Sequence, residues 1–189
     1  MLKNLVGFTC VAIAVVVSAP AAAGNAPGAV GADGAPPLYA CRSVGAQRYS
    51  VTADAGCSLV APLSADWRLL SVGRDGAEAR YLDVRNVARN GDTIAVWIVM
   101  VKPDSSGAVF NGIESLRQFD MKSHEVIDCA RRQSASDDVQ FIRNFRSTAE
   151  VVKASTRSNP APRPLAPGSI IEQVAAAVCD GGHPRAALP

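Results

Sequence analysis

Residues 89–101 read RNGDTIAVWIVMV, and the fold turns on them. Asn90-Gly91 tolerates the positive φ of a tight turn, so the chain reverses direction there. From Ile94 to Val101 every residue is apolar. A strand with one wet face alternates apolar and polar side chains. An unbroken apolar run instead asks for cover above and below, as in a central strand. One helix cannot cover two faces, so a second layer is needed. A homodimer or a partner chain is expected on that second face, with Trp97 or Ile98 near the contact according to register, the alternative cover being sheet curvature or the segment of Leu38 to Val60 together with the proline-rich stretch of Asn159 to Gly168.

Strand signals continue on either side. Trp67 to Val72 is a candidate strand, Arg74-Asp75-Gly76 a turn, and Glu78 to Val84 the next strand. Leu116 to Cys129 holds one long strand or two. Val139 to Phe145 places Val139, Phe141 and Phe145 on one side, and Glu150 to Ser155 is a short final strand. These segments make an antiparallel meander. Asn159 to Gly168 carries four prolines and reads as extended coil. The clearest helix signal follows: Ser169 can cap the first turn, Glu172 completes a capping box, and Ile171, Val174, Ala175 and Val178 share one face, with Cys179 at the far end.

Upstream, Leu38 to Val60 reads as a β-hairpin around Gly45, with Tyr39, Cys41, Tyr49 and Cys57 in or beside its strands. Alone it is marginal in water, and a Cys41 to Cys57 bridge would staple it. Residues 24–37 are nearly all Ala, Gly and Pro and read as a flexible linker. Residues 1–23 read as an export signal: Lys3, an apolar run from Leu5 to Val17, and Ala21-Ala22-Ala23 ahead of a cleavage site. The apolar run falls short of the roughly 20 residues a spanning helix needs, so no membrane span is expected in the mature form.

Cleavage after residue 23 removes Cys10 and leaves four cysteines, Cys41, Cys57, Cys129 and Cys179. An even count in an oxidising compartment reads as two disulfides, with three connectivities open. No CxxC pair and no cysteine–histidine cluster at zinc spacing is present, so neither a cofactor nor a metal is expected. Loss of Lys3 leaves 18 cations against 17 acids, a balance that gives no case for nucleic acid.

Several motifs follow one another in a recognisable order: Trp67; Tyr81-Leu82-Asp83 with Asn86-Val87, Arg89, Gly91-Asp92 and Trp97; Ile127-Asp128-Cys129-Ala130-Arg131; Phe145 with Val151-Val152; and Pro167-Gly168-Ser169 to Cys179. From Asp66 to Asp180 the chain resembles the surface-adhesin protein E family of Gram-negative bacteria. The preceding segment is similar to the small cysteine-containing hairpin that follows the signal peptide in many exported bacterial proteins. The resemblance implies an α+β fold: an antiparallel sheet with a C-terminal helix bonded to it through Cys129 and Cys179, leaving Cys41 with Cys57. The organisation is then a disulfide hairpin at 38–60, an adhesin-like domain at 66–180 and a disordered tail at 181–189. Phe145 and Ala149 depart from the family's Tyr and Gly around the last hairpin. Ala149 resists positive φ, so that turn is expected to be of another type.

For chemistry, only His124 and His183 could serve as bases. His183 lies in the tail. Asp120, Lys122, His124, Val126 and Asp128 share one strand face, read as a solvated polar face rather than a metal or acid–base site. No GxSxG elbow, phosphate loop or HExxH helix appears, so no catalytic residue is expected. Trp67 and Trp97 sit in apolar runs and read as core. Arg131, Arg132, Arg143, Arg146 and Lys153 are the best candidates for a binding surface toward acidic or sulfated partners. The expected role is a non-enzymatic adhesin-like module of the periplasm or cell surface that binds a protein or other macromolecule at the envelope or on a host. A periplasmic structural or assembly factor and a small periplasmic hydrolase are the rivals.

Overall fold

The computed structural model describes residues 36–43 and 46–179. The export signal, all but the last two residues of the linker, the turn at Gly45 and the tail with His183 lie outside the described residues.

The hairpin segment is a three-stranded antiparallel sheet, in order β2-β1-β3, formed by β1 (Tyr39–Ser43), β2 (Ala46–Ser50) and β3 (Cys57–Leu59). The third strand is too short to signal itself in sequence. It brings Cys57 directly opposite Cys41, and the two are disulfide-bonded.

The main sheet contains β4 (Trp67–Val72), β5 (Ala79–Asp83), β6 (Ala88–Asn90), β7 (Thr93–Val101), β8 (Asp120–Asp128), β9 (Gln133–Arg143), β10 (Glu150–Thr156) and β11 (Arg163–Pro164). Its order is β10-β9-β8-β7-β5-β4, with β6 pairing β7 and β11 pairing β9, and every pairing is antiparallel. Gly91, at φ 58°, makes the turn between β6 and β7. A helix, α1 (Ile170–Cys179), completes an α+β fold.

The apolar run of β7 divides by parity, as a period of two requires. Ile94, Val96 and Ile98 face α1 and pack with Leu82, Ile127, Val174, Ala175 and Val178. The helix is fixed at both ends. Ser169 Oγ accepts from the Glu172 N–H at 3.1 Å, while the Glu172 carboxylate reaches the Gly168 N–H at 2.6 Å, one residue earlier than a standard capping box. At the other end Cys179 is bonded to Cys129, and Arg89 donates to the Val178 carbonyl at 2.6 Å, satisfying one of the free carbonyls of the last turn.

Val99 and Val101 point the other way, into a second core with Leu69, Ala79 and Tyr81 from the sheet and Leu38 and Tyr49 from the small sheet. The N-terminal module is therefore part of the domain's core. Arg146 clamps it, with Nη1 donating to the Ala61 carbonyl at 2.9 Å, Nη2 to the Tyr81 hydroxyl, and the guanidinium over the Tyr49 ring. The Tyr49 hydroxyl donates to the Lys102 carbonyl at 2.9 Å. Burial raises the pKa of both tyrosines, partly offset by Arg146.

Three readings are corrected. The strand read as Val139 to Phe145 is β9, which begins at Gln133 and ends at Arg143. Asn144 then takes φ 53° and turns the chain, so Phe145 packs in the second core while Phe141 packs with Ala108, Leu116 and Phe119. Ala149 does adopt positive φ, at 50°, its N–H held by the Asn144 carbonyl at 3.0 Å. Asp120 is not solvated but fully buried, for reasons given below.

Candidate functional site

The N-terminal module reaches the sheet's second face at Leu69, Ala79, Tyr81, Val99 and Val101. On the same face, by strand parity, Ala95, Trp97, Lys122, His124 and Val126 remain partly accessible. These residues form the open half of the face.

Trp97 on β7 stands opposite His124 on β8, with ring centroids 4.8 Å apart and tilted by 42°. Lys122, two residues along β8, lays its Nζ 4.3 Å from the Trp97 ring centroid and 5.9 Å from that of Trp67. Trp67 in turn meets Phe145 edge to face at 5.4 Å. The ammonium thus bridges two indole rings, an arrangement in which the negative ring faces attract the cation. Trp67 joins the edge of the second core, whereas Trp97 stays half-buried on the open half.

His124 Nδ1 lies 2.7 Å from Asp137 Oδ1. Asp137 is reachable because the pairing of β8 with β9 jumps between His124 and Glu125, leaving Asp137 as the extra residue of a bulge. Its carbonyl accepts from the Arg157 N–H at 2.7 Å, which ties the segment after β10 to the sheet. Between that segment and the ends of β8 and β9 opens a groove of about 370 Å³, with Val126, Asp128, Arg131, Ala135, Asp137 and Arg157 among its lining.

The five cations singled out in sequence do not come together. Arg131 borders the groove and is paired with Asp128, its N–H to Oδ1 at 2.9 Å and Nη1 to Oδ2 at 3.3 Å. Arg132 turns to the helix and meets Glu172 at 3.2 Å. Arg143 lies at the other end of β9, roughly 35 Å away at the usual rise per residue, and there it pairs with Glu150 at 2.7 Å and donates to the Ala108 carbonyl. Arg146 is the clamp already described. Lys153 sits on β10 opposite Phe141. A single basic patch is therefore not formed.

Two carboxylates are structural: Asp120, read from the sequence as part of a solvated face, and Glu125, which the sequence did not single out. Asp120 accepts from the Lys102 N–H at 2.7 Å, the Phe145 N–H at 2.8 Å and the Ser105 hydroxyl at 2.7 Å, joining the loops after β7 and after β9 at one end of the sheet. Burial raises its pKa more than these bonds lower it. Glu125 lies buried on the helix side, flanked by the Ser123 and Ser136 hydroxyls, and burial raises its pKa too. A charged residue at an inward strand position gives no sequence signal of burial.

Among the described residues no group of three or more His, Cys, Asp or Glu is placed to hold a metal ion, and no helix is long and apolar enough to cross a membrane.

The profile of surface-adhesin protein E matches residues 67–180, more than half of the chain, so the protein belongs to that family. As a member it is an exported, non-enzymatic adhesin-like module. Among solved structures it is similar to Haemophilus influenzae protein E in crystal form II (11% identity, 64% of this chain and 91% of that chain, TM-score 0.44). It is also similar to protein E from non-typeable Haemophilus influenzae (10% identity, 63% and 78%, TM-score 0.42). No curated protein matches the chain.

Proposed function

We propose that the open half of the second face is where this adhesin-like module meets its macromolecular partner. The observation that carries this reading is the distribution of cover. The helix closes one face, the N-terminal module closes the apolar half of the other, and an aromatic and charged strip centred on Trp97, Lys122 and His124 stays accessible. Tryptophan is among the residues that carry most of the binding energy at protein interfaces, and Trp97 is the partly accessible one on this face. The family match supports a partner outside the chain rather than a reaction within it.

Binding of the mature chain to immobilised basement-membrane extract tests the reading. Trp97→Ala with Lys122→Glu should reduce binding at least about tenfold while leaving the circular dichroism spectrum unchanged. Undiminished binding by the double variant would place the contact elsewhere.

A second reading is a homodimer through the same strip. It is favoured by the presence of both signs of charge there, Lys122 with Asp137, which a twofold axis can pair with each other. Ile98 faces the helix, so Trp97 is the contact residue on this reading. Sedimentation at micromolar concentration decides it: a strict monomer removes the dimer and leaves the first reading.

A further inference from the structure

We infer that the groove beside the strip is a saccharide subsite, taking an uncharged oligosaccharide with one ring laid across Val126, Ala135 and Pro160. The inference rests on the reading of this face as the binding face and names the chemistry of its ligand.

Three features select that class. The groove's lining carries both signs in equal number, Asp128 and Asp137 against Arg131 and Arg157, with Asp128 paired to Arg131 and Asp137 to His124, so neither a polyanion nor a polycation finds a field of one sign. Its volume of about 370 Å³ falls within the range of ligand clefts. Its lining is mixed rather than that of an apolar-ligand cleft, because the side chains of Asp128, Asp137, Arg131, Arg157 and Asn159 share it about equally with the apolar surface of Val126, Ala135 and the prolines. Such planar groups offer donors and acceptors in fixed positions, which a hydroxyl, being both, can satisfy in pairs. The carboxylates are oriented in advance by the Arg131 N–H bonded to Asp128 and by the His124 contact at Asp137, so little ordering is lost on binding.

The position in the fold argues against an extended peptide. The groove lies on the face of β8 and the start of β9, and the outer side of β9 there is taken by β11 at Gln133 and Ser134, by the Arg157 N–H at the Asp137 carbonyl and by β10 from Asp138 onward, which leaves too short an edge for an added strand. The segment of Arg157 to Pro162 forms the opposite wall, and Pro160 and Pro162 give that wall rigid apolar surface. Trp97 lies on the same face two residues beyond Ala95, placing an aromatic ring where a neighbouring sugar of a longer chain would extend.

The test is an amide NMR titration of the mature chain with cellohexaose, maltohexaose and chitohexaose at millimolar concentration. A heparin hexasaccharide and a proline-rich peptide serve as comparison ligands. At least one neutral hexasaccharide should shift resonances within 126–137 and 157–162, equally at low and high salt. Asp137→Ala and Arg157→Ala should each weaken that binding about tenfold with thermal midpoints near wild type. No shift with any of the three neutral sugars overturns the inference, as does binding of heparin alone with strong salt dependence, or of the peptide alone. If the sugars fail while Trp97→Ala with Lys122→Glu still abolishes binding to basement-membrane extract, the saccharide is wrong and the binding face stands. If both fail, the face itself is wrong.

Discussion

Gly76 lies so close to the backbone of Tyr49 that a single added carbon would overlap the Tyr49 carbonyl. Gly76 belongs to the turn between β4 and β5, and Tyr49 to β2, so this contact is where the N-terminal module seats on the adhesin-family unit. The glycine also holds φ 69°, a conformation that costs any other L-residue about 1–2 kcal/mol. Gly76→Ala should therefore destabilise by at least about 2 kcal/mol and loosen the seat of Tyr49. Urea denaturation and the amide exchange of β2 measure it, and an unchanged midpoint would show that the seat yields without cost.

The shared core also changes what the two disulfides do. Cys179→Ala opens a loop with a sequence separation of 50 and should cost about 2–5 kcal/mol. Cys41→Ala opens one of 16 and should cost about 3 kcal/mol in the chain-entropy model. Because Leu38 and Tyr49 sit in the same cluster as Val99, the second loss should lower the whole unfolding transition rather than a separate hairpin phase. Calorimetry under non-reducing conditions distinguishes the two, since a resolved early transition in Cys41→Ala would mean that the module melts on its own.

Ala149 is a site for stabilisation. Its φ of 50° is left-handed, and the strain relieved by glycine exceeds the added freedom of the unfolded chain. Ala149→Gly should raise stability by about 0.5–1 kcal/mol. A lower chemical midpoint would mean that the turn relaxes into another geometry when the methyl group is removed.

Stability should depend on pH in two opposite limbs. Asp120 and Glu125 have raised pKa values through burial, so the folded state holds more protons than the unfolded one just above the ordinary carboxylate range. Their contribution to stability therefore falls as pH rises through that range. Glu78 is different: burial opposes its charge, but hydrogen bonds from Lys102 and Arg80 outweigh burial and lower its pKa. Its contribution is present above the unfolded value and is lost as pH falls through the folded one. A melting-temperature series should rise as mildly acidic pH is approached from neutrality and drop below it. Glu125→Gln should flatten the upper limb, and an unaltered slope would remove Glu125 as its source.

Much of this architecture could be read from the chain because local and global signals agreed. Ser169 and Glu172 announced the helix, Asn90-Gly91 the turn, and the run from Ile94 to Val101 the two-sided core. The first half of β9 was hidden because Gln133 to Asp138 holds no apolar side chain larger than Ala135, and its pairing with β8 makes it a strand. The groove was hidden for a different reason. Its walls come from segments twenty or more positions apart, and they meet where the bulge at Asp137 turns a carbonyl toward Arg157. The cations failed as a patch because nearness in sequence does not compress a strand the length of β9.

The bond between Cys129 and Cys179 has a mechanical consequence. A load pulling between the segment before Cys41 and the segment after Cys179 passes from Cys179 straight to Cys129 and never through the residues between them. β9, β10, β11 and α1 are thereby shielded from extension. The tension falls instead on the stretch from Cys57 to Cys129, that is on β4 to β8, where the hydrogen bonds of neighbouring strands would share it. A molecule that holds a cell to a surface would keep the Asp137 side of its groove intact at forces that had already begun to draw out the strands between Cys57 and Cys129, because the Cys41–Cys57 bond carries the load past the N-terminal hairpin in the same way.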